Sequence, residues 1–216
     1  SDDLINSKYP DLKLLMDLKF KQFQNGLSKK IYDSLAQEYS NNKDEVSLVG
    51  RLVDMINNSV YKNIKLYAQK IHGAKSFVEF NYRSTLTTKE IADMVVISAA
   101  SSQREIVFQK ITFIQNKVGK NKNWDIDDEQ LFLLKNFPTF SGRKGIFKSF
   151  SDEQITFSNN TKCLGSYGLF MDPGEMVFLS APLLSELVIN NKIEIKNIRL
   201  PEKIDTLRNS DSFFQF

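Results

Sequence analysis

The chain has 216 residues, 41% hydrophobic and 25% charged, with 29 basic against 26 acidic side chains for a net charge of +3. That length buries a sizeable core in one domain, and the longest apolar runs, ADMVVISAA and EMVFLSAPLL, fall far short of the ~20 residues of a membrane span. A lone cysteine, Cys163, excludes an internal disulfide and a cysteine-cluster zinc site, and a lone histidine, His72, argues against Ser-His-Asp catalysis and multi-histidine metal sites. Chemistry is left to carboxylates, lysines and amides. No signal-peptide pattern is visible, and a reducing, cytoplasmic setting is the expectation.

From Pro10 to about Ser40 the apolar period is helical, with Gly26 expected to separate two helices. Asn41 to Asp44 read as a turn and cap before a second helical run to about Ile71, which His72 and Gly73 close. The period then changes. SFVEFNY, near Ser76 to Tyr82, alternates like a strand, and RSTLTTKE follows as a turn or loop. IADMVVISA is a second strand, SSQR a tight connection, and EIVFQKITFIQNK, from Glu105, a third strand forming an antiparallel hairpin with the second. A helix capped near Asp127 stops at Pro138, and TFSGRKGIF is a glycine-punctuated loop. Later come a strand over Leu164 to Phe170, a turn at Asp172, a helix capped by Ser180 and a final strand in KIEIKNIRL. This order predicts an α/β fold, or α+β, with a helical N-terminal layer. It divides into an N-terminal helical segment (1–43), a core (44–150) and a mixed C-terminal extension of the same domain (151–216).

The third strand ends on FIQNK. Side chains two apart share a face, so Gln115 and Lys117 point together and Asn116 points away. A carboxylate that could join them is Asp93, at the start of an apolar strand, where an unpaired acid is costly to bury and is normally paired, hydrogen-bonded or metal-bound. A tight hairpin register leaves Asp93 a few residues short of Gln115, and a bulge or wider turn is needed to bring them level. Glu45 lies three, four, seven and eleven residues before Leu48, Val49, Leu52 and Ile56, which puts it on the apolar stripe of its helix. A simple interaction with the helix dipole explains it equally well. Mg²⁺ or Mn²⁺ held by Asp93, Gln115 and Glu45 would neutralise a phosphate and acidify a bound water, and Lys117 would stabilise the developing charge.

A helix Glu, an Asp opening one strand of a hairpin and Gln-x-Lys on the next resemble the PD-(D/E)XK nuclease superfamily, over roughly Asp44 to Leu134. Gln115 stands where the usual member has Glu or Asp, a variant similar to the Mrr-type restriction enzymes. The resemblance implies a restriction-endonuclease-like central mixed β-sheet flanked by helices. It implies catalytic roles for Glu45, Asp93, Gln115 and Lys117, with Asp93 and Gln115 binding the metal, Glu45 assisting from the helix and Lys117 as the catalytic lysine. Gln130 is similar in placement to a glutamine that contacts the scissile strand in some RecB-like members. The expected activity is metal-dependent hydrolysis of DNA, in a restriction, defence or phage-related setting, and the alternative is an inactive module of the same fold that binds nucleic acid or a protein. A homodimer, or a recognition domain or subunit outside this chain, is a further expectation.

Three other Asp/Glu/Gln-x-Lys matches exist, at Asp11, Asp17 and Glu194. The first two fall on a helix, where positions two apart diverge, and the third lacks an acid-initiated strand before it. Lys110, Lys120 and Lys122, with Arg143 and Lys144, are candidate phosphate contacts, although a solvated basic face gives the same pattern. His72 reads as a helix-end cap, Glu90 as a loop ion pair or a substitute for Glu45, the aromatic concentration from Trp124 to Phe150 as core, and Cys163 as structural.

Overall fold

The computed structural model of the protein describes residues 18–41, 44–61, 64–73, 76–102, 104–119, 123–157, 164–171, 175–188 and 192–194. The first helix, α1 (Leu18–Asn41), runs unbroken through Gly26, whose Cα faces open space. Glycine within a helix costs only about 1 kcal/mol relative to alanine, which tertiary packing of Leu27, Ile31 and Leu35 offsets, so the expected break does not occur. The proline-started portion of that run, Cys163, Lys120, Lys122, the turn at Asp172 and the chain beyond Glu194 lie outside the described residues.

Helix α2 (Glu45–Asn57) starts on Asp44, whose side chain accepts from the Ser47 N–H at 2.9 Å, and it buries the predicted stripe of Leu48, Val49, Leu52 and Ile56. It ends fourteen residues before the expected stop at Ile71. In place of the remaining helix stand β1 (Val60–Tyr61) and β2 (Ile64–Lys70). The physical reason is visible in IKLYAQK, which alternates apolar and polar and therefore buries one face of a strand. Asn57 secures the crossing from helix to strand by bonding both the carbonyl and the N–H of Ala68, each at 2.8 Å.

Strands β3 (Phe77–Tyr82) and β4 (Thr85–Glu90) form a hairpin, so most of RSTLTTKE is strand, not loop. Its two-residue turn places Arg83 and Ser84 at φ 46° and 66°, the left-handed geometry that matches strand twist. β5 (Met94–Ser102) and β6 (Glu105–Val118) make the predicted antiparallel hairpin. After the short β7 (Asn123–Asp125) comes α3 (Asp128–Asn136), capped by Asp127, which accepts from the Gln130 N–H at 2.8 Å. The expected loop after Pro138 contains β8 (Phe140–Gly142) and a 3₁₀ segment (Gly145–Phe150). The described chain closes with β9 (Gly165–Met171), β10 (Glu175–Ser180), α4 (Ala181–Leu187) and β11 (Lys192–Glu194).

The main sheet has the order β1-β2-β5-β6-β9-β10, antiparallel throughout except for the parallel pair β6–β9. A parallel pair needs a crossover, and the segment containing α3 supplies it. Period-two alternation sends the two faces of the sheet to different cores. Met94, Val96, Ile114 and Phe170 pack under α1 and α2, while Val95, Phe113, Tyr167 and Leu169 pack against α3, α4 and the small sheet β4-β3-β8. The architecture is a mixed α/β fold with a curled mixed sheet flanked by helices. Of the aromatic run expected to be core, Trp124, Phe137 and Phe140 are buried in the second core and Phe132 and Phe147 pack partly buried against it, whereas Phe150 is exposed.

Candidate metal centre

Asp93 stands immediately before β5 and is only 1% exposed. Its backbone is fixed from both sides, because its N–H donates to the Ile114 carbonyl at 3.1 Å and its carbonyl accepts from the Ile71 N–H at 2.8 Å. Met94 pairs with Ile114, so Asp93 lies beside Gln115, and a bulge at Ala100/Ser101 helps to set that register. The bulge shifts the pairing by one residue, and the rest of the expected shortfall is made up because β5 runs to Ser102 and β6 starts at Glu105, so that the link is shorter than the expected SSQR turn and not wider.

The carboxylate of Asp93 is held by three partners. Oδ2 accepts from Gln115 Nε2 and from the Asn116 backbone N–H, both at 2.6 Å. Oδ1 lies 3.0 Å from Nδ1 of His72. Two charge-assisted bonds on one oxygen fix the carboxyl plane and direct the other oxygen at the histidine. Gln115 is itself 6% exposed, and its Oε1 is buried with no hydrogen-bond partner.

The remaining groups arrive from separate elements. Glu45, the first residue of α2, is half-buried beside Asp93, Lys117 and His72, and it accepts a hydrogen bond from the Val118 N–H. Burial pushes its carboxyl above the ordinary value and the Asp93 charge adds to that rise, while Lys117, His72 and the Val118 N–H oppose it. Glu90 ends β4, with one carboxylate oxygen 3.5 Å from His72 Nδ1 and a hydrogen bond from the Gly73 N–H. Its carboxyl is raised by burial, with the neighbouring His72 lowering it and Asp93 raising it. Lys117 is half-buried near both glutamates. Lys89, next to Glu90, bonds Asp127 at 2.8 Å and Glu129 at 2.9 Å, which ties β4 to the start of α3.

Four predicted residues, Glu45, Asp93, Gln115 and Lys117, thus meet in one place. Others do not join them. Lys110 pairs with Ser98 in the hairpin, about 23 Å along β6 from Lys117 at strand rise. Gln130 is buried and donates to the Ile91 carbonyl at 3.3 Å, so in this structure it braces the segment leading to Asp93 and is not displayed to solvent. Arg143 and Lys144 are exposed. Their N–H groups both donate to the Phe77 carbonyl, Arg143 ion-pairs with Glu79, and the Lys144 ammonium lies 5.6 Å from the centre of the Phe77 ring. Phe77 is the cross-strand partner of Glu90, so this basic pair stands at the end of the small sheet nearest the centre.

His72 and Glu90 were given other duties by sequence reasoning. His72 is not at a helix end, because the segment before it is strand β2. The signal that would have found it is the two-residue alternation of IKLYAQK, which delivers His72 to the edge of the same sheet.

Oxygen donors for a hard cation are available in Asp93 Oδ1, the bare Oε1 of Gln115 and the Glu45 carboxyl. Gln115 Oε1 is one of several buried side-chain atoms without a hydrogen-bond partner, with those of Asn116, Ser166 and Tyr167, and such atoms are ordinarily satisfied by bound water or an ion. Together with the two carboxylates it makes an oxygen donor set that fits a divalent ion. Comparison of the chain with protein-family models, with curated proteins and with solved structures finds no match. No described helix is long and apolar enough to cross a membrane.

Proposed function

We propose that this chain is a metal-dependent nuclease of the PD-(D/E)XK type that hydrolyses phosphodiester bonds in DNA. The observation that carries the reading is the convergence of Asp93, Gln115 and Lys117 from one hairpin with Glu45 from a helix. That combination is what the resemblance to PD-(D/E)XK enzymes requires of three different elements, and it arises here in part by a bulge that no local sequence rule dictates.

Asp93, with Glu45 and the Gln115 carbonyl, would hold Mg²⁺ or Mn²⁺. The ion supplies charge neutralisation at the scissile phosphate and a bound water of lowered pKa. Gln115 and the Asn116 N–H keep the Asp93 carboxylate in a fixed plane. Lys117, positioned two residues along the same face, stabilises negative charge as it builds on the phosphate oxygens. Arg143 and Lys144, on the neighbouring edge, offer contacts to flanking phosphates, and such contacts position a strand without reading its bases. A microbial restriction, defence or phage-related role, and a dimer or a separate recognition subunit, belong to the same proposal.

The test is cleavage of plasmid and linear DNA with Mg²⁺ or Mn²⁺ by wild type, Asp93→Ala and Lys117→Ala. Cutting that depends on the ion and is lost in both variants is the expected result. Wild type that binds DNA and cuts with neither ion would make the chain a binding module, and cutting that survives both substitutions would put the active site elsewhere.

A further inference from the structure

The mechanism above leaves two groups at the centre unused. His72 and Glu90 both face Asp93 and neither contributes to the Gln-x-Lys arrangement. Asp93 Oδ2 is already occupied by two N–H donors, which leaves Oδ1 as the oxygen open to an ion. On that side His72 Nδ1 stands 3.0 Å from Asp93 Oδ1 and 3.5 Å from Glu90 Oε2. One donor atom from each residue can be chosen so that all three lie within 4.8 Å of one another.

The 3.0 and 3.5 Å spacings are those of a hydrogen-bonded ion pair, and they also match the ligand spacings of a small ion that would replace the shared proton. Adjacent ligands about 2.1 Å from a metal are about 3.0 Å apart in an octahedron and about 3.4 Å apart in a tetrahedron. The backbones carrying the three residues come from three places, the loop after β2, the end of β4 and the start of β5, so the spacing is a product of the tertiary fold. A second observation concerns the amide that is bonded to Asp93. Gln115 Oε1, in a side chain 6% exposed, is bare although the same amide is bonded to Asp93 through Nε2. An acceptor in that position suits a water carried by an ion on Asp93. Charge points the same way. With every group ionised, Glu45, Glu90 and Asp93 bring three negative charges and Lys117 brings one positive, a surplus of two when His72 is neutral.

We propose that His72 Nδ1, Glu90 and Asp93 Oδ1 bind a divalent transition ion of the Mn²⁺ class, and that the imidazole selects it over Mg²⁺. Mg²⁺ prefers oxygen ligands throughout, whereas first-row transition ions accept nitrogen readily. On this ligand set Gln115 is no longer the metal ligand that the nuclease reading made it but a positioning residue whose amide donates to Asp93. A carboxylate could not make that bond, and the histidine provides the ligand that an acid would have given. This accounts for glutamine at the position where the resemblance has Glu or Asp. The inference rests on the nuclease reading for the use of the ion, but the binding itself can be tested separately.

His72 is the sole histidine of the chain, so its imidazole gives one set of nitrogen resonances. The experiment follows those resonances in wild type during addition of Zn²⁺, a diamagnetic ion of the same ligand preference. Calorimetric titration with Mn²⁺ and Mg²⁺ is carried out in parallel on wild type, His72→Gln and Glu90→Gln. The expected result is a Zn²⁺-dependent displacement of the Nδ1 resonance and Mn²⁺ binding at least about tenfold tighter than Mg²⁺. Loss of either side chain weakens Mn²⁺ binding about tenfold or more, and loss of His72 removes the preference. An imidazole unmoved at saturation, or a folded His72→Gln that binds Mn²⁺ as wild type does, overturns the proposal. The wild-type resonance decides even if a variant fails to fold. Metal binding through His72 in a chain that never cuts DNA would uphold this inference and sink the nuclease. DNA cutting with an unmoved imidazole would do the reverse.

Discussion

Gln115 donates its side-chain amide to Asp93 across the β5–β6 pair at 2.6 Å, an alignment that depends in part on the bulge at Ala100/Ser101, seven residues along the strand from Asp93. The bond makes the amide nitrogen, not a carboxylate, the neighbour of the buried acid. Replacing Gln115 by Glu would exchange a donor for a second negative charge. The hydrogen bond to a charged group contributes about 1.5–3 kcal/mol, and repulsion adds to its loss. Gln115→Glu is therefore expected to be less stable than wild type by at least about 2 kcal/mol in EDTA, with Mn²⁺ recovering part of the loss. Urea unfolding with and without the ion checks this. A variant as stable as wild type in EDTA would mean that the amide does not hold Asp93.

Glu45 gives a pH dependence whose sign can be worked out. Its carboxyl is raised above 4.5 in the folded chain, chiefly by burial, and Asp93 adds to the effect. Between the ordinary and the raised value the folded chain binds more protons than the unfolded one, so stability falls as pH rises through that window. Below the window the group costs nothing. Glu45→Gln removes the charge and keeps an acceptor for the Val118 N–H. The substitution is expected to raise stability in metal-free buffer at about pH 7.5 and to give little or no gain at about pH 4. Thermal melts at the two pH values measure it. An equal gain at both would show that the charge is not the cause.

How much of this centre the sequence disclosed follows from the range of each interaction. The β5–β6 hairpin, the shared face of Gln115 and Lys117, the cap at Asp44 and the stripe that Glu45 begins are local, and period and spacing reveal them. The level of Asp93 against Gln115 depended in part on a bulge, which is decided by pairing across the hairpin and not by either strand alone. β2 was read as helix because the two-residue alternation of IKLYAQK is brief and follows closely on the strong helical stripe of α2, and β4 and β10 were missed because their partners in the sheet decide them. His72 was lost with β2. Once that segment was read as helix, its histidine became a cap, and the imidazole that stands beside Asp93 disappeared from view.

Packing behind the site yields a steric test. Gly165 opens β9 beside α3, where an added Cβ would come 2.1 Å from the Leu134 carbonyl oxygen and 2.9 Å from its Cβ. A backbone oxygen cannot swing aside as a long side chain can, so Gly165→Ala must push α3 away from the sheet. Overpacking of this kind costs about 1–3 kcal/mol or more. Because Gln130 on α3 bonds the Ile91 carbonyl, the shift would also loosen the segment leading to Asp93. The expected outcome is a lower melting temperature together with weaker Mn²⁺ binding. Unchanged stability would mean that helix and strand are farther apart in solution.

Lys117 separates holding an ion from using it. Its ammonium lies near Glu45 and Glu90, where it favours the charged forms of both glutamates. Its removal leaves the negative surplus larger, so a divalent ion should bind Lys117→Ala at least as tightly as wild type. On the proposed nuclease reading the same substitution takes away the charge that stabilises the transition state, a loss that elsewhere costs about 10²–10³ in rate. Lys117→Ala is thus expected to bind Mn²⁺ undiminished and to cut DNA at least about a hundredfold more slowly. Calorimetry and a cleavage assay on one preparation check both halves. If Mn²⁺ binding and cutting fell together, Lys117 would be a structural support of the centre and its catalytic assignment would be withdrawn.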